Sequence, residues 1–293
     1  MVVVQLNGGL GNQMFQYAAA KSLSLHHNVP LSLDVSLFYR ENLPDLEVPR
    51  NFELYNFKGV NEKMITPEEL ESIAALSSKK NALKKFIPRY KQSIYTEPYY
   101  HFDKNFLKSK NKVLLKGGWQ SEKYFMPHIR HIQETFKMKD ELIRSVKNKA
   151  GELKELLSVA VHIRRADYLR KKIIFEWHGV MGKEYYSRAF QVLDEKLQDY
   201  KVFYFTDDPG WVEKELIPLK NGELISKDVA KNHLEDFYLM SQCQHNIIAN
   251  SSFSWWAAWL NNNLDKIVVA PKNWFNKGPK DTQDLLPASW IKI

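Results

Sequence analysis

Residues 2–34 read VVVQLNGGLGNQMFQYAAAKSLSLHHNVPLSLD. Val2–Leu6 is an unbroken apolar-rich run that predicts a buried strand. Asn7-Gly8-Gly9-Leu10-Gly11 is turn chemistry, and Asn12–His26, with Ala18, Ala19 and Ala20 as strong helix formers, predicts a helix. Leu31–Asp34 predicts the next strand. Strand, glycine loop, helix and strand in so short a span form the unit from which parallel sheets are built.

The same rhythm returns after residue 157. Strands are expected at Ser158–Arg164, Lys201–Thr206, Asn246–Ala249 and Lys266–Ala270. Helices are expected at Lys183–Lys196, Pro209–Leu216, Leu234–Gln244 and Ser252–Asn261, with a loop over Ile173–Gly182. Pro209 suits a first helical position. Between the two regions the pattern is weaker, with Pro at 44, 49, 67, 88 and 98. A strand at Lys112–Lys116 and helices at Glu122–Phe136 and Asp140–Glu155 are the readable pieces. The chain of 293 residues suits about two domains. The fold class expected is therefore α/β, with two Rossmann-like parallel-sheet domains, 1–150 and 151–293, facing a cleft that holds the ligand.

Composition excludes several classes. Hydrophobic residues are 44% and charged residues 26%, an ordinary globular balance that rules out a disordered tail, a collagen-like fibre and a disulfide scaffold. Cys243 is the single cysteine, which suits a reducing compartment and excludes a site of several cysteines. No run reaches the ~18 apolar residues of a membrane span, and the start of the chain lacks the basic and small-residue signals of a secretory leader. A cytoplasmic protein is expected. Residues 1–150 carry 23 Lys and Arg against 15 Asp and Glu, whereas residues 151–293 carry 19 of each, so the whole net charge of +8 lies in the first half. Lys79, Lys80, Lys84, Lys85, Arg89 and Lys91 form one basic run, with Phe86, Tyr90 and Tyr95 near it; Lys104, Lys108, Lys110, Lys112 and Lys116 form another. They read either as a solvated face or as attraction to an anionic surface, of a membrane or a nucleic acid. No nucleic-acid-binding motif accompanies them.

Four stretches carry chemistry. In Asn7-Gly8-Gly9-Leu10-Gly11-Asn12-Gln13, glycines allow close backbone approach and the following helix start offers free N–H groups. A dinucleotide reading, with Asp34 as the ribose partner, fails at the third glycine position, which holds Met14. In Val161-His162-Ile163-Arg164-Arg165-Ala166-Asp167-Tyr168, side chains alternate, so His162 and Arg164 share one face while Val159, Val161, Ile163 and Arg165 share the other. Guanidinium groups beyond a strand suit a phosphate; a structural pair of Arg165 with Asp167 is the plainer alternative. In Phe205-Thr206-Asp207-Asp208-Pro209, the carboxylates could hold ribose, a base or a metal, or simply cap the helix. No D-x-D triad occurs, which weakens the metal reading. In Ala249-Asn250-Ser251-Ser252-Phe253-Ser254-Trp255-Trp256, a strand runs into a Ser-rich helix start that suits an anion, or that Asn250 or Ser251 merely caps. Trp255, Trp256 and Trp259 recur at helical spacing and are expected in the core.

Taken in order, Asn-Gly-Gly-Leu-Gly-Asn-Gln at 7–13, His-Ile-Arg-Arg-Ala-Asp-Tyr at 162–168, Thr-Asp-Asp at 206–208 and Asn-Ser-Ser-Phe-Ser-Trp-Trp-Ala at 250–257 resemble the bacterial α-1,2-fucosyltransferases of glycosyltransferase family 11. The resemblance runs from Val2 to about Pro271. It implies a GT-B-like pair of domains, GDP-fucose as co-substrate, no cofactor and no metal. It implies transfer of L-fucose to the 2-hydroxyl of a terminal galactose, with inversion, on an oligosaccharide or glycolipid acceptor. The second domain would then bind the nucleotide sugar. The first would stand on the acceptor side and present the Asn7, Gly8, Gly9, Gly11 and Asn12 loop to the cleft.

On this reading Arg164 neutralises the departing pyrophosphate, helped by His162, Arg165 and the helix start at Asn250, Ser251, Ser252 and Phe253. By resemblance to related fucosyltransferases, Asp207 and Asp236 help hold the nucleoside, and Asp208 is expected among the substrate-binding residues. The general base is expected to be Asp167, unless it orients the arginines instead, then His178, with Glu176 in the same loop. Transferases of another nucleotide sugar, a glycan-binding module and a nucleic-acid-binding protein are the competing classes; nucleic acid is not expected as a partner. The basic first half suggests peripheral contact with an anionic membrane.

Overall fold

The structure, a computed structural model, describes residues 1–40, 49–78, 87–226 and 228–293. Pro44 and, from the first basic run, Lys79, Lys80, Lys84, Lys85 and Phe86 lie outside the described residues. The chain forms two compact units, Met1–Lys137 with Asp281–Pro287, and Met138–Lys280 with Ala288–Ile293.

The first unit is built on β1 (Val2–Gln5), β2 (Leu31–Asp34), β3 (Ile94–Thr96) and β4 (Val113–Lys116). They form one parallel sheet in the order β2-β1-β4-β3. Helix α1 (Leu10–His27) begins two residues earlier than the sequence suggests, inside the glycine loop, with Gly9 as its N-cap. It ends at Asn28 in the left-handed conformation, whose N–H reaches Leu25 O. Helices α2 (Pro67–Ser78) and α3 (Ile129–Thr135) complete the unit. The helix expected over Glu122–Phe136 is broken: two 3₁₀ turns, Glu122–Tyr124 and Met126–His128, precede α3. Pro127 lacks an N–H and disfavours helical backbone before it, which accounts for the break.

The second unit contains β5 (Ser158–Ile163), β6 (Lys201–Thr206), β7 (Gly222–Leu224), β8 (His245–Ile247), β9 (Val268–Ala270) and β10 (Ile291–Lys292). All pairings are parallel, in the order β10-β9-β8-β5-β6-β7. From β5 the chain adds β6 and β7 to one side and β8, β9 and β10 to the other. This is the doubly wound order, with its switch point between β5 and β8. Helices α4 (Asp140–Ile143), α5 (Lys147–Glu155), α6 (Ala166–Arg170), α7 (Lys172–His178) and α8 (Lys183–Asp194) come first along the chain. Then follow α9 (Pro209–Trp211), α10 (His233–Gln242) and α11 (Ser252–Leu260). Val159, Val161 and Ile163 pack with Tyr185, Tyr186, Phe190 and Leu193 of α8. Trp255 and Trp256 are fully buried and Trp259 nearly so, which places the indoles in the core as expected.

Three expectations need correction. The units divide at Lys137 and Met138 rather than near 150, because α4 and α5 pack on α10 of the second unit. Residues 281–287 return to the first unit. Ile173–Gly182 is largely helix α7 rather than loop.

Candidate active site

The crevice of a doubly wound sheet lies beyond the carboxyl ends of its strands at the switch point. The register here pairs Val161 with Ile247 and Ile163 with Thr206. The Arg164-Arg165 step therefore leaves β5 beside Asp207-Asp208 on one flank and Asn250-Ser251 on the other.

Arg164 is held in an ion pair: Nη2 donates to Asp167 Oδ2, and Nη1 lies 3.4 Å from Asp207 Oδ2. Arg165 goes elsewhere. Its Nε is 3.4 Å from Asp208 Oδ2, and its guanidinium lies 4.2 Å from the Trp211 ring centroid. Of the two partners the sequence offers Arg165, Asp167 or a neighbouring element, it takes the second, while Asp167 pairs with Arg164 because a helical turn, α6, follows at once and brings residue 167 back over 164. Asp207 Oδ1 accepts the Arg165 N–H at 2.8 Å, and Asp208 Oδ1 caps the next helix through Trp211 N. Both aspartates thus brace the arginine loop from inside. Asp167, the first sequence candidate for the base, has a guanidinium at each oxygen, with Arg170 Nη1 4.0 Å from Oδ1.

His162 lies behind Arg164, 5% exposed, with its ring 5.7 Å from Phe253. Burial and then the Arg164 charge hold it well below the usual imidazole range, so it is neutral at pH 7. Its Nδ1 is buried and has no hydrogen-bond partner among the described residues. His178 stacks on Tyr168, and burial lowers it to about 4. Glu176 pairs with Lys277 at 2.9 Å, so the end of α7 is tied to residues 276–278.

Helix α11 starts at Ser252 with Ser251 as N-cap and no side-chain capping bond. The N–H groups of Ser252 and Phe253 thus lie in the first turn, ahead of the helical ladder that begins at Trp255 N to Ser251 O. Asn250 is buried, and its Nδ2 donates to the carbonyls of His178 and Trp274 at 2.9 and 3.2 Å. It fastens α7 to the helix start rather than capping α11. Asp236, on α10, accepts from Ser226 Oγ at 2.9 Å, and Ser226 in turn accepts from Thr206 N. The other oxygen, Oδ1, is buried with no partner among the described residues, and burial pushes the carboxyl up to about 7. Ser226 was not legible in the sequence, since only the neighbourhood of β6, β7 and α10 gives it meaning.

In the first unit the glycine loop is braced by two buried glutamines. Gln16 Oε1 accepts from Asn7 N, and Gln16 Nε2 donates to Asn7 Oδ1; Gln13 Nε2 donates to Gly8 O and Asn51 O. Gly8 has φ +73, and a Cβ there would lie 2.7 Å from Asn12 Nδ2. Only glycine suits that position. Gly9 and Gly11 are helix cap and first turn. Asp34 accepts from Gln5 Nε2 through Oδ2 and from Ser36 N through Oδ1, which ties it to its own strand end. Among the described residues no three His, Cys, Asp or Glu side chains gather as metal ligands, and no helix is long and apolar enough to cross a membrane.

Two Rossmann-like units, the second carrying a braced arginine and a helix start at its switch point, define the fold class: a GT-B-like pair of parallel-sheet α/β units. The chain belongs to glycosyl transferase family 11, whose model matches residues 1–293. It is 32% identical to an Escherichia coli alpha-1,2-colitosyltransferase over 100% of this chain and 99% of the relative. It is 31% identical to the O-antigen biosynthesis glycosyltransferase WbnK of Escherichia coli over 98% and 99%. In fold it is similar to a solved Arabidopsis thaliana FUT1 mutant in complex with GDP, with TM-score 0.52 at 14% identity over 99% of this chain and 75% of that one.

Proposed function

We propose that the chain transfers L-fucose from GDP-β-L-fucose to the 2-hydroxyl of a terminal galactose, on an oligosaccharide or glycolipid, with inversion and without a metal. The observation that carries this is Arg164, held by Asp167 and Asp207 at the switch point beside the α11 start. Negative charge grows on the pyrophosphate as the sugar–oxygen bond breaks. A preorganised guanidinium and the N–H groups of Ser252 and Phe253 stabilise that charge more than they stabilise the ground state. The second unit is thus the nucleotide-sugar side and the first the acceptor side.

The remaining roles follow from the partners each group has. Asp167, Asp207 and Asp208 act as positioning residues for the arginine loop. Asp236 Oδ1, buried and without a partner among the described residues, suits the N–H donors of a guanine edge. His162 stays neutral and supports Arg164 from behind. Asn250 and Ser251 set the path of α7 and α11. Of the two candidates for the proton of the acceptor hydroxyl, Asp167 is engaged with Arg164, so the role falls to His178, which burial keeps neutral while lowering its basicity. A cytoplasmic location, with peripheral contact between the basic first half and an anionic membrane, suits a lipid-linked acceptor.

The test is incubation of the purified chain with GDP-fucose and a panel of galactosides. Mass and NMR spectra should give a product with an α-1,2-linked fucose. No product from any galactoside, or a fucose on another hydroxyl, would overturn the reading. The relative named alpha-1,2-colitosyltransferase favours a second reading, in which the sugar is colitose, so GDP-colitose belongs in the same assay.

A further inference from the structure

The first sheet has a switch point of its own. Its order β2-β1-β4-β3 reverses between β1 and β4, so a ligand of that sheet belongs beyond the carboxyl ends of those strands. Beyond β1 lies the glycine loop. Beyond β4 lies Gly117-Gly118-Trp119-Gln120, and beyond β3, which pairs with β4, lies Glu97.

Glu97 is built into this end. Gly117 has φ +150, and a Cβ there would lie 2.4 Å from Glu97 Cβ, so glycine is what lets the side chain pass. Glu97 Oε2 accepts from Gly118 N at 2.8 Å and from Trp119 N at 3.0 Å. Trp119 holds the left-handed conformation, φ +52, rare for so bulky a residue and costing on the order of 1 kcal/mol or more. Oε1 makes no hydrogen bond among the described residues. Burial pushes the carboxyl up to about 7, against the pull of its two N–H donors.

Gln120 lies alongside. A Cβ on Gly118 would stand 3.5 Å from Gln120 Cγ and 3.7 Å from Glu97 Oε2, so carboxylate and carboxamide flank one glycine. Gln120 Nε2 donates to Asn12 Oδ1 at 3.0 Å, which joins the pair to the glycine loop and leaves the Gln120 carbonyl with no hydrogen bond among the described residues.

We infer that the carboxyl end of the first sheet is a subsite for the acceptor sugar, in which Glu97 Oε1 and the Gln120 carbonyl accept from hydroxyls of a hexose. The choice of a galactoside as ligand rests on the transferase reading above. The chemistry discriminates between ligand classes. A phosphate would meet a carboxylate, and a metal ion would want more than one. A neutral polyol offers hydroxyl donors to both acceptors.

The experiment is ligand-observed NMR titration of the whole chain with methyl β-D-galactoside and with lactose, alongside calorimetry with GDP. Glu97→Ala and Gln120→Ala should each weaken galactoside binding about tenfold or more, while GDP affinity stays within about twofold. Glu97→Gln keeps a carbonyl for Gly118 N and Trp119 N but turns a donor outward, so it should fold like the parent and lose galactoside too. If Glu97→Ala fails to fold, Glu97→Gln and Gln120→Ala carry the test. Unchanged galactoside binding in those two variants, a matching loss of GDP, or a parent chain that binds GDP and no galactoside would each overturn the subsite. Loss of galactoside by the variants in a chain that transfers no fucose would uphold the subsite and sink the donor reading instead.

Discussion

Arg164 and Arg165 are neighbours in sequence with different environments, and alanine substitution should separate them. Arg164 donates to Asp167 and stands 3.4 Å from Asp207, at the switch point. Its loss removes the cation that meets the leaving pyrophosphate and leaves two carboxylates near it. A preorganised donor of this type is worth roughly 10²–10³ in kcat, or about 3–4 kcal/mol of transition-state stabilisation. Arg164→Lys keeps the charge but not the planar fork that spans Asp167 and Asp207, so it should rescue little. Arg165 lies over Trp211 and beside Asp208. The ring contact contributes ~0.5–2 kcal/mol and the partly exposed ion pair up to ~1 kcal/mol. Arg165→Ala should therefore destabilise the second unit by about 1–3 kcal/mol and slow turnover less. The assay is kcat at saturating GDP-fucose, with denaturant melts and circular dichroism on each variant. If a well-folded Arg165→Ala is the slower of the two, the roles given to these side chains are reversed.

Three further outcomes are expected. Burial raises Asp236 to about 7, so below pH 7 its carboxyl is increasingly protonated and loses an acceptor for guanine N–H groups. GDP affinity by calorimetry should then rise from pH 6 to pH 8, and Asp236→Asn should flatten that rise; a parent chain with pH-independent affinity would remove Asp236 from the nucleoside. Transfer should continue in excess EDTA, because Arg164 supplies the positive charge at the pyrophosphate; activity lost in EDTA and restored by magnesium or manganese would refute this. The chain should sediment with anionic vesicles at low salt more than with neutral ones, given a net charge of +8 that lies wholly in residues 1–150. Equal sedimentation would leave the lysines as solvated surface.

Local pattern determined most of the frame. The apolar runs of β1, β2, β5 and β6, the glycines after β1, the alternation that separates Val161 from His162, and the indole spacing in α11 all depend on neighbours within a few residues, where periodicity and backbone preference act. The motif at 162–168 likewise marked the arginines as the place to look. Partner choice was a different matter. The sequence left Arg165 a choice between Asp167 and a neighbouring element; the turn of α6 brings Asp167 to Arg164, and the parallel pairing of β5 with β6 brings Asp208 to Arg165. Glu97 gave no signal at all. It stands 21 residues from Gly118, and its carboxylate acquires meaning only when β3 and β4 pair, burial strips its water, and two backbone N–H groups turn to it. Asp236 is marked by the family resemblance, but its burial and its link to β6 through Ser226 come from the fold. Spacing along a chain encodes which face a side chain takes. The sheet order decides which carboxylate meets which cation and which is left without one, because desolvation and hydrogen bonding depend on distances that only the folded chain creates.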